Sequence, residues 1–340
     1  MIEAPRPLAA DGVPWTEWKD VPRFGIRYRH LTLANAGEGY HVGVSIEELP
    51  PGMQTAPAHY HIFEEEHVYM LEGVVTLRLG AERYTMRAGD YVCFPAGQMA
   101  GHCLINETRA PARYVILGEN NPNEVAVYTD TNKVLVRALG NRALFDMAAL
   151  RSYWEGEDTG LLPGEPPPGK PALDKVAAAA AARPKPPVLA ADVPWSEEER
   201  PPGFASRGQH FTRHAVGEDY HVGVKIESPG PGQRHAPRHY HMLEEEHALI
   251  LEGEITLLLD GGVSHPMRPG DYVCFPAGLK VGHSFLNSGA GPARYLMIGE
   301  RNPAEVCVYP DSNKLAVDAL REWDSIFDKG AVRDYWDGEG

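Results

Sequence analysis

The sequence predicts an all-β protein: two similar barrel- or sandwich-like domains in tandem, joined by a Pro/Ala-rich linker. Three observations carry this expectation. The chain of 340 residues repeats itself with a period of about 180, from Val13-Pro14-Trp15 against Val193-Pro194-Trp195 to Tyr153-Trp154 against Tyr335-Trp336. Across residues 39–79 and 219–259 well over half the letters agree, so the halves share one fold. Within each half, short alternating stretches are punctuated by Gly and Pro, which is the grain of many short strands. The expected domains are 1–159 and 191–340, with 160–190 as the linker.

Taken in order, Tyr40 to Glu47 alternates as a strand and Pro50-Pro51-Gly52 ends it. Val68 to Leu79, broken at Glu72-Gly73, reads as two strands around a turn. Tyr91 to Phe94 lies between the Gly89-Asp90 and Pro95-Ala96-Gly97 turns, and His102 to Asn106 and Arg113 to Gly118 follow at similar spacing. Asp90 and Asp271 are turn residues in this reading. Each half then carries Gly-Glu-x-Asn-Pro-x-Glu-Val, followed by Tyr128 to Lys133 or Tyr309 to Lys314, where Asp and Asn between apolar runs predict a hairpin turn. The tails at 143–153 and 325–335 have a weak helical pattern. The linker, with Pro166-Pro167-Pro168 and Pro184-Lys185-Pro186-Pro187, has too little apolar surface to fold alone and predicts an extended tether. Asp174 is placed to cap a short helical run through Ala177 to Ala182, which Pro184 stops.

Composition bounds the function. The chain is 43% hydrophobic and 23% charged, with a mean hydropathy of -0.34, as in soluble globular proteins. A formal net charge of -15 is the wrong sign for a phosphate backbone, so no nucleic-acid partner is expected. The N-terminus has no basic start with an apolar run, and no stretch suffices to span a bilayer. The expectation is a cytoplasmic protein with no membrane partner. Cys93, Cys103, Cys274 and Cys307 show no C-x-x-C spacing, and the equivalent Cys93 and Cys274 read as small buried thiols.

The chemistry concentrates in His59-Tyr60-His61-Ile62-Phe63-Glu64-Glu65-Glu66-His67, repeated as His239-Tyr240-His241-Met242-Leu243-Glu244-Glu245-Glu246-His247. Strand alternation puts His59 and His61 on one face, able to address one metal ion. Glu66 and then His102 complete one ligand set; His239, His241, Glu246 and His283 form the other. Glu66 is preferred over Glu64 and Glu65 because six residues separate it from Gly73, the count that also runs from Glu246 to Gly253. Three imidazoles and a carboxylate leave positions open for substrate or dioxygen and suit a divalent metal, Fe(II) first, with Mn, Ni, Co or Zn as alternatives. His67 and His247 alternate away from the metal, as do Tyr60 and Tyr240. His30, His41, His210 and His221 read as strand or interface residues.

These spacings resemble the cupin superfamily, whose first motif is G-x5-H-x-H-x3,4-E-x6-G and whose second is G-x5-P-x-G-x2-H-x3-N. The first is met by His59, His61, Glu66 and Gly73 and by His239, His241, Glu246 and Gly253; Gly52 and Gly232 stand one residue further out. The second is met by Gly89, Pro95, Gly97, His102 and Asn106 and by Gly270, Pro276, Gly278, His283 and Asn287, with four residues rather than two before the His. The resemblance implies a bicupin of two jelly-roll barrels, the double-stranded β-helix, each with a central metal. The size and H-x-H-x4-E spacing are similar to bacterial quercetin 2,3-dioxygenases, and the tails to bacterial single-domain cupins of unassigned function. Oxalate decarboxylases are bicupins that usually show H-x-H-x3-E.

The leading expectation is therefore a mononuclear non-haem metal dioxygenase, with Glu66 and Glu246 as ligands and as candidate catalytic bases. A metal-dependent isomerase, epimerase or decarboxylase comes next, then a non-enzymatic small-molecule-binding or regulatory cupin. Val68, Met70, Ala248 and Ile250 share the phase of the ligand glutamates, which predicts apolar pockets and an aromatic or hydrophobic substrate. Met53, Gln54 and Thr55 become Gln233, Arg234 and His235, and Gln98 and Met99 become Leu279 and Lys280, which gives the second half a more cationic entrance suited to an anionic substrate. Both sites are expected to bind metal and one to turn over faster. Two barrels can pack face to face within the chain and pair further as a homo-oligomer.

Overall fold

The computed structural model describes residues 4–140, 143–151, 153–155, 157, 184–197, 201–320, 325–334 and 337. Period-2 patterning becomes two antiparallel barrels. In the first, one sheet runs Thr16–Val21, Phe24–His30, Val42–Leu49, Ala112–Glu119, Glu66–Glu72, Tyr91–Phe94. The opposing sheet runs Leu144–Asp146, Lys133–Val136, Val125–Tyr128, His59–His61, His102–Ile105, Val74–Leu79, Glu82–Arg87. Val68, Met70, Leu77, Met86, Phe94 and Leu104 fill the space between them.

The second barrel repeats this plan with one difference. Its inner strands divide into a four-stranded sheet, Tyr240–His241, Val306–Tyr309, Lys314–Val317 and Ile326–Asp328, and a three-stranded sheet, Ser264–Met267, Ile255–Leu259 and His283–Asn287. A single bridge between His239 and His283 links the two. The expected hairpins form at both Asp/Asn turns, with Asn132 and Asn313 at φ 53 and 50. The tails differ from their helical pattern: Leu144–Asp146 and Ile326–Asp328 add edge strands and only then enter single 3₁₀ turns. Pairing with the neighbouring hairpin strand outweighs weak local propensity there. The Asp174 cap lies outside the described residues, and no described helix is long and apolar enough to cross a membrane.

The motif glycines have a steric reason. Gly73 and Gly253 sit at φ +81 and +79, and a Cβ would meet the Ala112 backbone at 2.9 Å or the Pro292 carbonyl at 2.4 Å. Only glycine lets these turns close against the neighbouring strand.

The barrels pack face to face through one apolar cluster holding Leu31, Tyr69, Tyr91 and Val115 from the first half and Phe211, Leu249, Tyr272 and Leu296 from the second. Each such fully buried side chain contributes about 1.5–3 kcal/mol. Polar groups cross the contact in matched pairs. The Tyr91 hydroxyl lies 2.6 Å from His67 Nδ1 and 2.7 Å from Thr212 Oγ1; that of Tyr272 lies 2.7 Å from His247 Nδ1 and 2.8 Å from Thr32 Oγ1. Glu65 accepts from the Val222 N–H at 3.0 Å, and Glu245 from those of His41 and Val42 at 2.7 and 2.8 Å. His41 and His221 pair across the interface with Glu300 and Glu119 at 2.9 Å. This self-complementary arrangement is that of a two-fold dimer contact. His30 and His210 instead cap the short helices Leu31–Ala36 and Phe211–Val216.

Terminal arms are exchanged. Leu8 and Ala9 pair with Tyr272 and Asp271 of the second barrel, while Val188, from the stretch assigned to the linker, bridges Tyr91 of the first.

Candidate metal centres

The three-residue strand His59–His61 lies between Val125–Tyr128 and His102, so His59 and His61 share a face and His102 stands directly opposite His59. Glu66 opens a strand of the facing sheet and closes the set. His61 Nε2 is 3.1 Å and His102 Nε2 3.4 Å from Glu66 Oε2, and donor atoms of all four residues lie within 4.8 Å of one another. In the second barrel Glu246 faces His241 at 3.1 Å, His239 at 3.6 Å and His283 at 3.5 Å.

Each imidazole is backed differently, and identically in the two barrels. His59 and His239 place Nδ1 at 2.9 and 2.8 Å from the Pro57 and Pro237 carbonyls. His102 and His283 stack on Phe94 and Phe275 at 3.7 and 3.6 Å. His61 and His241 place Nδ1 3.3 and 3.4 Å from the buried carboxylates of Glu124 and Glu305. Glu124 also accepts the N–H groups of Ile62, Phe63 and Glu64 at 2.9, 3.1 and 2.9 Å, tying down the loop between the ligands. Sequence reading missed Glu124 and Glu305; their recurrence in Asn-Pro-x-Glu was the available signal.

Electrostatics fit a cation. Burial alone would raise the Glu66 carboxyl, but hydrogen bonds to His102 and His61 hold it well below the usual range; His239, His241 and His283 do the same for Glu246. Burial, helped by His102, pushes His59 down to about 4, leaving a neutral imidazole. His283 Nε2 and Glu246 Oε1 are buried 3.5 Å apart. Against burial, Glu124 and Glu66 push His61 up to about 10 and Glu246 and Glu305 do the same for His241, so a divalent metal must displace these protons to take the imidazoles beside an ionised carboxylate.

The neighbouring glutamates lie outside the donor sets, with Glu64 and Glu244 at 3.6 and 3.5 Å from the outer Nδ1 of His61 and His241. Glu64 pairs with Arg137, and Glu65 turns to the other barrel. His67 and His247 face the interface tyrosines, away from the donors.

The second cavity departs from the expectation of apolar pockets. Val68, Met70, Ala248 and Ile250 pack inside the barrel cores. The second cavity, about 590 Å³, is lined by Lys225, His235 and Arg301 together with Glu244, Glu245, Glu300, Glu305 and Asp318. The first, about 170 Å³, has Ser45 where the second has Lys225. Of the second half's entrance substitutions, His235 reaches this cavity, whereas the Arg234 guanidinium lies over Phe204 at 4.5 Å. Lys225 and Arg301, the larger charge change, went unnoticed because one lies on a strand and the other just after a strand, both remote from the motif. Glu227 gathers Lys225 at 3.0 Å and His235 at 3.1 Å; these cations outweigh its burial and hold it down to about 2. Burial pushes Glu244 up to about 7.

The sequence profile of the cupin domain matches residues 45–118 and 226–299. The chain is 30% identical to a sugar phosphate isomerase of the cupin superfamily from Silicibacter pomeroyi, over 36% of this chain and 82% of that one, with a TM-score of 0.34. It is similar in fold to Lactobacillus farciminis oxalate decarboxylase, at 14% identity over 91% of this chain and 89% of that one, TM-score 0.54. It is likewise similar to the Bacillus subtilis oxalate decarboxylase, at 16% identity over 90% and 80%, TM-score 0.53. No curated protein matches the chain.

Proposed function

The chain belongs to the cupin superfamily as a two-domain member, and from that premise we propose that it is a metal-dependent enzyme whose turnover takes place in the second barrel. The domains are those the repeat delimits, 1–159 and 191–340, each with one centre. His59, His61, Glu66 and His102 would hold one divalent ion, and His239, His241, Glu246 and His283 the other. Fe(II) is the first candidate, with Mn, Ni, Co and Zn as alternatives. When bound, such an ion supplies Lewis acidity and coordination positions open to substrate.

The observation that carries this reading is the second cavity, larger than the first and lined by charged groups of both signs. Lys225 lies on the strand Val222–Pro229 and Arg301 directly follows its partner strand Arg294–Glu300, with the paired Gly223 and Gly299 at the cavity wall between them. They would bind an oxyanion, while Glu244, Glu305 and Asp318 would accept hydrogen bonds from hydroxyl groups. The substrate class is thus a small molecule with an anionic end and a hydroxylated end. Glu66 and Glu246, kept ionised by their imidazoles, serve as ligands and are weak bases. This charge pattern favours Lewis-acid isomerisation, epimerisation or decarboxylation. Dioxygenation is the second reading, supported by the open donor set.

The test is turnover of metal-loaded protein on small hydroxy acids and phosphorylated sugars, with and without dioxygen. The expected result is turnover independent of oxygen, abolished by His241→Ala and retained in part by His61→Ala. Oxygen consumption with a neutral aromatic substrate, or equal loss in the two variants, would overturn the assignment; inert protein would leave only a binding role.

A further inference from the structure

The two cavities begin alike and end differently. His30, Gly43, Glu66 and Gly118 bound the first, and their counterparts His210, Gly223, Glu246 and Gly299 bound the second. The second then continues past His239 to Tyr309, Ala316 and Asp318, where the first has stopped. The equivalent strands Lys133–Val136 and Lys314–Val317, with the 3₁₀ turns that open at Arg137 and Asp318, explain the difference. Where the second barrel has Ala316 and Asp318, the first has Leu135 and Arg137. Arg137 spans the gap, donating to both carboxylate oxygens of Glu64 and, at 2.8 Å, to the Asn121 carbonyl. Asp318 is shorter, is an acid like Glu244, and makes no such bridge among the described residues.

We propose that Leu135 and Arg137 plug the first cavity against substrate-sized ligands, and that Ala316 and Asp318 keep the second open. These positions determine which barrel admits the substrate. The inference rests on the reading that the second barrel is the one that turns over, but it concerns access and is measured without turnover. A bidentate Arg–carboxylate bridge is rigid as well as bulky, so it closes the space in a way a lysine would not.

The experiment loads the full chain with Co(II) and titrates it with 4-nitrocatechol, an anionic, hydroxylated probe whose visible band shifts on metal coordination. Cobalt is counted separately. The expected stoichiometry is two cobalt ions and one probe per chain. Leu135→Ala with Arg137→Asp should admit a second equivalent, and Ala316→Leu with Asp318→Arg should admit none, both variants keeping two cobalt ions. If the first variant loses cobalt, the second variant alone decides. Two equivalents in the unaltered chain, none in it, or an unchanged single equivalent in the Ala316→Leu, Asp318→Arg chain would overturn the plug. One equivalent bound by a chain that turns over nothing would instead keep the plug and overturn the proposed function.

Discussion

Replacing Glu124 by Gln keeps the shape of the side chain and changes what it can accept. Oε1 faces the Ile62 N–H and His61 Nδ1, and Oε2 faces the N–H groups of Phe63 and Glu64. A glutamine has one oxygen and one NH₂. The oxygen stays where two N–H groups need it, so the NH₂ turns toward Ile62 and His61. That orphans one buried N–H, at a cost of about 1–3 kcal/mol. It also reverses the demand on His61: Nδ1 must accept, the proton moves to Nε2, and the nitrogen that faces Glu66 can no longer coordinate. Outer contacts of this kind typically change metal affinity by about 10–100-fold. Chelator competition should show that loss at the first barrel for Glu124→Gln and at the second for Glu305→Gln. Unaltered affinity in both variants, with stability lowered, would refute the reasoning and leave the two glutamates as loop braces.

Three further outcomes are expected. Burial pushes the Glu47 carboxyl up to about 7 against the opposing hydrogen bond from Tyr114 at 2.7 Å. A raised carboxyl means that stability is fully present below the unfolded value near 4.5 and is lost as pH rises through 7. Glu47→Gln in metal-free protein should therefore match the parent at pH 4 and exceed it by about 3 kcal/mol at pH 8, an upper figure read from urea midpoints; a pH-independent difference would contradict this. Gly253→Ala should cost about 3 kcal/mol or more and Gly73→Ala less, because the added methyl meets the opposing strand more closely at Gly253. Gly52→Ala, at φ +76 with open space around it, should cost about 1–2 kcal/mol in the same denaturation series. Saturating Mn(II) or Co(II) at about 100 times its Kd should stabilise each occupied barrel by about 2.7 kcal/mol, visible as a higher Tm that EDTA reverses.

Much of this was legible in the letters because it is periodic. Alternation fixed which of His59, Tyr60 and His61 turn inward, and spacing to Gly73 chose Glu66 over its two neighbours. What escaped depended on contacts distant in the chain. Val68 and Met70 have the right phase for a pocket, but the phase does not tell how deep in the barrel each position lies, and both are core. Glu124 hides in a turn-like motif 58 residues after Glu66 and acts through a sheet pairing. The edge strands of the tails were obscured because their ladder partner, not their own pattern, decides their form.

The exchanged arms bear on how the polypeptide can be divided. Leu8 and Ala9 belong covalently to the half they do not complete, and Val188 likewise. Scission between residues 157 and 184 would leave two fragments, each missing a piece held by the other, with Tyr91, Phe211 and Tyr272 bared and Glu65 deprived of its partner. Expressed singly, the fragments should aggregate; mixed, they should reassemble into one particle. Through this trade of strands the two repeats form one unit that neither half can complete alone.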